Sequence, residues 1–276
     1  MGRLCVYLVN SRVCIIMKKS DNTKRVACIL FVCGLMICPG RVWAANTDEA
    51  NETKKVLAIL GDAHHPVFPQ YAAIVRELQR KGYEADVILD YNVPFDRLSD
   101  YGIVLLSRYA YNDILLCERH RFNFAKGKDH HWLTADEEES FEKYVNAGGR
   151  LFLHHDGIGF YLKDRAISRL AKAHFVTHPP IVNIKIRPTG KLPELTKGVE
   201  SFEVEDEEYV LEMDESQTNV FLESHSETNG RFAQGWAHEY GKGKVAVLIP
   251  GHEKKVLYHP MVKQCIINVI EWLEKE

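Results

Sequence analysis

Residues 148–157 read Gly-Gly-Arg-Leu-Phe-Leu-His-His-Asp-Gly and are the most informative stretch of the chain. Two glycines precede a short apolar run, which ends abruptly in two histidines, an aspartate and a third glycine. A buried parallel strand is typically such an apolar run, and ligands of α/β proteins bind at the carboxyl ends of these strands. Glycine permits a sharp turn there, and histidine titrates near neutral pH or binds metal. The stretch therefore predicts a strand that ends in a functional site.

Two other stretches repeat this pattern. Residues 57–65 read Leu-Ala-Ile-Leu-Gly-Asp-Ala-His-His, and residues 245–252 read Val-Ala-Val-Leu-Ile-Pro-Gly-His. Doubly wound sheets gather the carboxyl ends of their strands along one edge. We therefore expect one histidine-lined crevice at that edge, formed by His64, His154 or His155, His178 and His252.

The rest of the chain alternates strand and helix patterns. Thr134 and Glu137 have the spacing of a capping box at the start of a helix. Buried strands are predicted over residues 55–60, 85–89, 103–106, 150–153 and 244–249, and helices over 69–81, 134–146, 162–172 and 261–276. Shorter strands are predicted over residues 181–186, 201–204, 208–212, 220–222 and 231–238. This order predicts an α/β fold with a doubly wound, mostly parallel sheet, helices on both faces, and an antiparallel β insertion before the last strand.

The N-terminal residues have the order of an export signal. Lysines and an arginine at positions 18–25 precede an apolar run over residues 26–38, and small residues occupy −3 and −1 of a cut after Ala44. We expect a signal peptide over residues 1–44 with Met17 as the start, a linker over 45–53 and one domain over 54–276. The predicted location is periplasmic or secreted. A retained anchor and a lipoprotein cut before Cys38 are the less favoured alternatives.

The net charge and the cysteine count argue against several classes of protein. Residues 45–276 carry 28 basic and 37 acidic side chains, a formal net charge of −9. An acidic surface argues against nucleic acid and anionic membranes as partners, and we expect no stable membrane insertion after signal cleavage. Only Cys117 and Cys265 lie beyond the signal. Two such distant cysteines are typical of unpaired thiols rather than of a disulfide scaffold.

The histidine turn offers the main candidate catalytic residues. A single histidine after a strand could simply cap the turn or form a hydrogen bond with a backbone carbonyl. Two adjacent histidines, His154 and His155, followed by Asp156 indicate instead that at least one of them is functional. No Cys or Ser occupies the position of a nucleophile in this turn, which disfavours covalent acyl transfer. We predict that His154 or His155 acts with His252, and the sequence leaves open which of the pair it is.

Other polar and aromatic residues are candidates for binding. His178 follows His174 at a helical spacing, but Pro179 and Pro180 argue that a helix has ended by then. The acidic run over residues 206–208 is typical of a solvated turn. The candidate substrate-binding residues are His64, His65, Asp90, His178, Tyr209 and Trp236. The candidate ligands of a divalent metal such as zinc are His154, His178 and His252.

The usual motifs of dinucleotide-binding, P-loop, zincin and zinc-ribbon proteins are missing from the sequence. It contains no GxGxxG, GxxxxGK[ST], HExxH or paired CxxC pattern. We therefore expect no nucleotide cofactor.

Taken in order, several of these residues resemble a known family. Residues 148–154, Phe175 with His178-Pro179, residues 206–209, and Trp236 with the Tyr-Gly-Lys-Gly of 240–243 and Gly251-His252 are similar to the trehalose-utilisation (ThuA-like) family. The resemblance covers residues 54–276. It implies the flavodoxin-like fold of class I glutamine amidotransferases without their cysteine nucleophile. Because that nucleophile is missing, the chain is not expected to be a glutamine amidotransferase. The resemblance also implies a role in the use of disaccharides and oxidised (keto) sugars.

Two classes of function follow from this resemblance. The first is a hydrolase, lyase or isomerase that acts on a small carbohydrate, with histidines as acid and base or as metal ligands. The second is a non-catalytic sugar-binding protein. The long basic and aromatic connection over residues 107–133, expected to be a structured flap, serves either class because apolar sugar faces stack on Tyr109, Tyr111, Phe122 and Trp132. Tightly clustered histidines would favour the enzyme, and histidines more than ~8 Å apart would favour binding.

Overall fold

The computed structural model describes residues 54–112 and 131–275, together with the backbone of residues 4–9 and 12–17. Strands β1 (Leu4–Val9) and β2 (Arg12–Met17) pair antiparallel, with Leu4 opposite Met17. Residues 1–49 and 50–276 are two separate compact units. Most of the predicted signal peptide, the linker over 45–53, and Cys117 and Phe122 of the predicted flap lie outside the described residues.

One mixed sheet organises the larger unit. Its five parallel strands are β3 (Lys55–Leu60), β4 (Glu84–Ile88), β5 (Ile103–Ser107), β6 (Arg150–His154) and β13 (Gly243–Leu248). They lie side by side in the order β4-β3-β5-β6-β13. Counted along the chain, this order is 2-1-3-4-5, the flavodoxin-like order, whose direction reverses beside β3. The predicted doubly wound fold is confirmed.

The predicted antiparallel insertion is also present and extends the same sheet beyond β13. Its strands are β8 (Val182–Pro188), β9 (Phe202–Asp206), β11 (Asn219–Ser226) and β12 (Gly230–Tyr240). They continue the sheet in the order β12-β11-β8-β9. A separate two-stranded sheet pairs β7 (Ala173–Thr177) with β10 (Val210–Met213). His174 therefore lies on a strand, and the helical spacing of His174 and His178 has no structural meaning.

Helices cover both faces of the sheet. One face carries a continuous helical segment, Val67–Gln70, the π turn Tyr71–Val75 and Arg76–Arg80, together with the C-terminal helix Pro260–Glu274. The other face carries the helices Ala135–Asn146 and Ala166–Ala171. The predicted capping box is formed, since the Thr134 side chain accepts the N–H of Glu137 and the Glu137 carboxylate accepts the N–H of Thr134.

Side-chain alternation along β3 explains why both faces need a helical cover. Val56, Ala58 and Leu60 point to the face of the C-terminal helix, and Leu57 and Ile59 point to the opposite face; all five are fully buried. Successive side chains of a strand point to opposite sides, so an uninterrupted apolar run implies burial on both faces. The helices thus cover both faces of β3.

Two further features of the described residues bear on the sequence-based expectations. Cys265 is a free, buried thiol of the C-terminal helix, and burial raises its pKa to about 12. Across the described residues, no helix combines the length and the apolar character needed to cross a membrane.

Candidate functional site

Three imidazoles and three carboxylates meet at the carboxyl edge of the parallel strands. We call His65, His155, His252, Asp62, Asp156 and Glu207 the imidazole–carboxylate cluster. The His65 ring centroid lies 4.8 Å from that of His155 and 4.9 Å from that of His252, and the latter two are 5.5 Å apart. His65 follows β3, His155 follows β6 and His252 follows β13, so the parallel topology brings them together; His155 and His252 belong to the predicted convergence, whereas His65 takes the place predicted for His64.

The turn after β3 fixes His65. Asp62 Oδ1 accepts the backbone N–H groups of His64 and His65 at 3.0 and 2.9 Å. His65 Nδ1 lies 2.8 Å from both Asp62 Oδ1 and Asp156 Oδ2. Burial alone would lower the pKa of His65, but the hydrogen bonds to Asp156 and Asp62 outweigh it and raise the pKa to about 10. Its second nitrogen, Nε2, lies 3.0 Å from His252 Nδ1.

The turn after β6 directs the His155 side chain toward the cluster. His155 has a left-handed backbone with φ of 48°, and such strain at a non-glycine residue is common at functional sites. Its Nδ1 lies 2.8 Å from the carbonyl oxygen of Ile249. Because a carbonyl only accepts, Nδ1 carries the proton, and Nε2 has a free lone pair. Burial lowers the pKa of His155 to about 4, which keeps the ring neutral.

The antiparallel insertion supplies Glu207, just after β9. Its Oε1 lies 3.2 Å from His252 Nδ1 and its Oε2 lies 3.5 Å from His155 Nε2. Burial tends to raise the pKa of Glu207, but the hydrogen bond to His252 and the neighbouring histidines lower it. The same hydrogen bond raises the pKa of His252. The carboxylate is therefore ionised and directed at two imidazoles.

Neighbouring side chains fix the outer parts of the cluster. Asp206 accepts the N–H groups of Gly251 and His252 at 2.9 and 3.1 Å, and burial raises its pKa to about 7. Tyr209 is buried and donates its hydroxyl proton to Asp156 Oδ1 at 2.8 Å. Burial opposes ionisation of Asp156, but its hydrogen bond with His65 and the positive charges near it hold its pKa well below the usual range.

His154 and His155 have different surroundings. His154 is fully buried, with Nδ1 3.0 Å from Ser107 Oγ and Nε2 3.3 Å from the carbonyl oxygen of Pro250. Burial lowers its pKa to about 3. Both of its ring nitrogens are thus engaged within the sheet edge. Of the two candidates that the sequence left open, His155 is the one that faces the other imidazoles.

The remaining candidate residues lie at different distances from the cluster. His178 lies at its edge, with Nδ1 3.7 Å from Glu207 Oε1 and a side chain that is 42% exposed. His64 is an exposed neighbour of His65. Asp90 is exposed and bonds Asn92. Trp236 lies in the core and donates its indole N–H to the Ala171 carbonyl at 2.7 Å, so it does not line the crevice.

An aromatic surface borders the cluster. Ring contacts run from His64 to Tyr109, Phe160, Phe175 and His178, with centroid separations between 4.8 and 6.4 Å. We call these five residues, together with Tyr111, which packs on Phe160 at 5.0 Å, the ring wall. Phe160 is 39% exposed and has a left-handed backbone with φ of 63°. Trp132 is not part of the ring wall, since its ring packs on Tyr91 and its indole N–H bonds the Tyr109 carbonyl. Tyr109 and Phe175 of the ring wall are themselves buried, so a ligand would reach Phe160, Tyr111, His64 and His178.

Sequence reasoning missed two of these residues. The run Asp206-Glu207-Glu208 is buried throughout, so the expectation of a solvated turn is wrong. Glu208 accepts bonds from Ser224, Ser226 and Asn229, while Glu207 turns toward the histidines. Phe160 was not singled out because one aromatic residue in a loop carries no periodic signal. The position of the acids just before Tyr209 was the available signal for Glu207.

The comparisons with known proteins agree with this architecture. The family model described as ThuA, trehalose utilisation, matches residues 55–273. A ThuA-like protein from Bacteroides uniformis has 16% identity and a TM-score of 0.57 over 84% of this chain and 95% of its own. A second, from Parabacteroides merdae, has 13% identity and a TM-score of 0.61 over 80% and 89%.

A cytoplasmic protein of Salmonella typhimurium LT2 has 16% identity and a TM-score of 0.58 over 80% of this chain and all of its own. No curated protein matches this chain in sequence. At these identities the structural similarities establish the fold alone.

Proposed function

This chain belongs to the ThuA family of trehalose utilisation, and we propose that it is an exported enzyme that acts on a disaccharide or keto-sugar at the imidazole–carboxylate cluster. Family membership indicates the carbohydrate-related role. The reaction class is a hydrolysis, a lyase reaction or an isomerisation that needs proton transfer. The observation that carries the proposal is the convergence of His65, His155 and His252, the last two of which also face Glu207.

The tightness of the cluster supports an enzyme over a binding protein. Neighbouring nitrogen and oxygen atoms of the cluster lie 2.8 to 3.5 Å apart, well within the ~8 Å limit beyond which these groups could not share one ion or one substrate atom. Buried charged groups are costly unless they are paired. Strongly shifted pKa values of grouped residues are also typical of catalytic sites.

The roles of individual residues follow from their access and bonding. His252 is the most exposed imidazole of the cluster and lies beside the ionised Glu207, so we assign it the proton transfer to or from the sugar. His155 supports it from the buried side. His178, at the exposed edge, orients the substrate. A general acid or base of this kind contributes a factor of about 10² to 10⁴ in rate.

The ring wall supports a sugar as the ligand. It begins at His64, next to His65 of the cluster, and ends at His178, which approaches Glu207. Ligand pockets are lined by aromatic side chains with a few directed polar groups. A pyranose offers both an apolar face for Phe160 and hydroxyl groups for the histidines. The same wall would serve a non-catalytic sugar-binding protein, which is the alternative function.

A turnover assay tests this proposal. The purified protein is incubated with trehalose and with a keto-disaccharide, and products are followed by chromatography. We expect turnover of at least one of them, with a loss of about 10² or more in His252→Ala. His225→Ala, an exposed histidine of β11, is the matched control. Sugar binding without any turnover by the wild type would support the alternative function instead.

Export is tested separately. The charged, apolar and small-residue segments before Ala45 predict cleavage there. N-terminal sequencing of protein from the native host should begin near Ala45. Material that begins at Met17 or earlier would contradict export by cleavage.

A further inference from the structure

We propose that His65 Nε2, His155 Nε2, His252 Nδ1 and one carboxylate oxygen of Glu207 together bind a single divalent transition-metal ion such as Zn²⁺. The inference rests on the proposed function only for the use of the ion, which would be to polarise a sugar oxygen or activate water. With the ion bound, His252 would act as its ligand, and the ion would take the place of His252 in activating the sugar oxygen or the water. The binding itself is argued from the geometry of these four residues.

Three distances among the candidate ligand atoms, two of which reach different oxygens of Glu207, are close to the edges of a metal-centred tetrahedron. Zinc binds imidazole nitrogen and carboxylate oxygen at about 2.0–2.2 Å, so neighbouring ligand atoms should lie about 3.3–3.5 Å apart. His65 Nε2 to His252 Nδ1 is 3.0 Å, His252 Nδ1 to Glu207 Oε1 is 3.2 Å, and His155 Nε2 to Glu207 Oε2 is 3.5 Å. The ligand atoms of the three histidines all lie within 4.8 Å of one another. Small inward shifts of the rings would complete the site.

Outer contacts hold two of the imidazoles in the orientation that a metal ligand needs. His65 uses Nδ1 for the carboxylates of Asp62 and Asp156, and His155 uses Nδ1 for the Ile249 carbonyl. Metal-binding histidines almost always donate their second N–H to a carboxylate or a backbone carbonyl, which fixes the tautomer and aims the lone pair at the metal. Both partner types are present here, on the far side of each ring from the common centre.

The lone pair of His155 Nε2 is the observation that most needs a cation. This atom is buried, its ring proton is on Nδ1, and its neighbours are Glu207 Oε2 and the Tyr209 hydroxyl. Glu207 Oε2 is a carboxylate oxygen, which accepts hydrogen bonds, and Tyr209 donates its proton to Asp156 at 2.8 Å. Two acceptors thus face each other in a buried space. Such an arrangement is unfavourable unless a positive ion lies between them.

The other histidines of the region are poorer ligands. His154 has both ring nitrogens engaged, by Ser107 and the Pro250 carbonyl. His178 is largely exposed, and its Nδ1 is 3.1 Å from the carbonyl oxygen of Pro179. The proposed set therefore keeps His252 from the sequence-based set and replaces His154 and His178 by His65 and His155, with Glu207 as the fourth ligand.

Metal binding to the purified full chain tests the inference directly. The protein is stripped with a chelator, and Zn²⁺ is titrated against a competing chromophoric chelator without any sugar. We expect one equivalent of Zn²⁺, and Co²⁺ in its place should give the visible spectrum of a tetrahedral site. His252→Ala and the nearly isosteric Glu207→Gln should each weaken zinc binding at least 100-fold. Asp156→Asn, an outer contact, should weaken it 10- to 100-fold.

Two matched controls separate the site from histidine content in general. His64→Ala removes the exposed neighbour of His65, and His178→Ala removes the edge histidine, and both should bind Zn²⁺ within about threefold of the wild type. Thermal unfolding shows whether each variant is folded. If His252→Ala does not fold, Glu207→Gln still tests the inference. Less than one-half equivalent bound, or unchanged affinity in Glu207→Gln, would overturn the inference. Because no sugar is present, failure of the turnover assay leaves this result unaffected.

Discussion

The two halves of the large sheet use charged groups in opposite ways. At the carboxyl edge of the parallel half, Asp62, Asp156 and Glu207 are directed inward at imidazoles in a space that water barely reaches. On the antiparallel half, Arg231 bonds Glu215 at the surface. Exposed ion pairs contribute little to stability, while buried ones carry a desolvation cost that stability alone does not explain. We therefore propose that the inward group serves function and expect the outward one to contribute little.

The largest effect that this contrast predicts is on kcat. His155→Ala removes the most buried imidazole of the cluster and should lower kcat for a keto-disaccharide by about 10² to 10⁴. Arg231→Ala, on the antiparallel half, should leave kcat within about twofold. Steady-state kinetics of both variants measure the difference. Equal losses in the two variants would show that the cluster has no special role.

The second prediction concerns acid stability. His238 is a buried residue of β12 whose Nε2 lies 2.9 Å from the Leu170 carbonyl, and burial lowers its pKa to about 4. In the unfolded protein His238 binds a proton as the pH falls below about 6.5, whereas in the folded protein it stays neutral down to about pH 4. The free energy of unfolding therefore decreases as the pH falls from about 6.5 to 4. The shift corresponds to about 3 kcal/mol.

Urea unfolding between pH 4 and 7 measures the contribution of His238 to the free energy of unfolding. His238→Gln keeps an N–H donor and cannot titrate, so its free energy of unfolding should fall less steeply over that range than that of the wild type. His225→Ala, an exposed residue of β11, should retain the wild-type slope. Parallel curves for the wild type and His238→Gln would contradict the assignment.

The third prediction compares two glycines. A Cβ on Gly157 would lie 2.2 Å from the Leu106 carbonyl oxygen, so Gly157→Ala must displace the turn that carries His155 and should cost about 1–3 kcal/mol of stability. Gly190, near the antiparallel half, has a positive φ of 88° but open space around it. Gly190→Ala should cost about 1 kcal/mol. Thermal or urea unfolding compares them, and an equal or reversed order would show that close approach does not limit the histidine turn.

The smallest expected effect is at the surface. Glu215→Ala breaks the bond to Arg231, and both side chains are more than a third exposed. The free energy of unfolding should change by less than about 1 kcal/mol, and less still at high salt. A larger loss would mean that the outward charges stabilise the sheet after all.

The sequence was sufficient for most of the fold. The predicted first strand, residues 55–60, has the observed bounds, and the capping box at Thr134 marked its helix correctly. These signals are local, because an apolar run or a cap depends on residues near one another in the chain. Strand-end histidines could also be placed at one edge, since parallel topology alone determines that.

The details of the site depend on contacts that no local pattern shows. His155 rather than His154 faces the cluster because its backbone is left-handed, and the sequence contains no rule for that choice. Glu207 arrives from the insertion, and its direction depends on the sheet extension beyond β13. Trp132 and Trp236 looked suitable for sugar contacts, but both rings are buried and bonded to backbone carbonyls.

The most direct test of the cluster as the reaction centre compares two adjacent glutamates. Glu207 faces His252 and His155, whereas Glu208 is bonded to Ser224, Ser226 and Asn229. The measurement is kcat for a keto-disaccharide in Glu207→Gln and Glu208→Gln beside the wild type, with thermal unfolding of each. We predict that Glu207→Gln loses at least about 100-fold in kcat with little change in stability, while Glu208→Gln is less stable but turns over normally when folded. Wild-type turnover in Glu207→Gln would contradict the account.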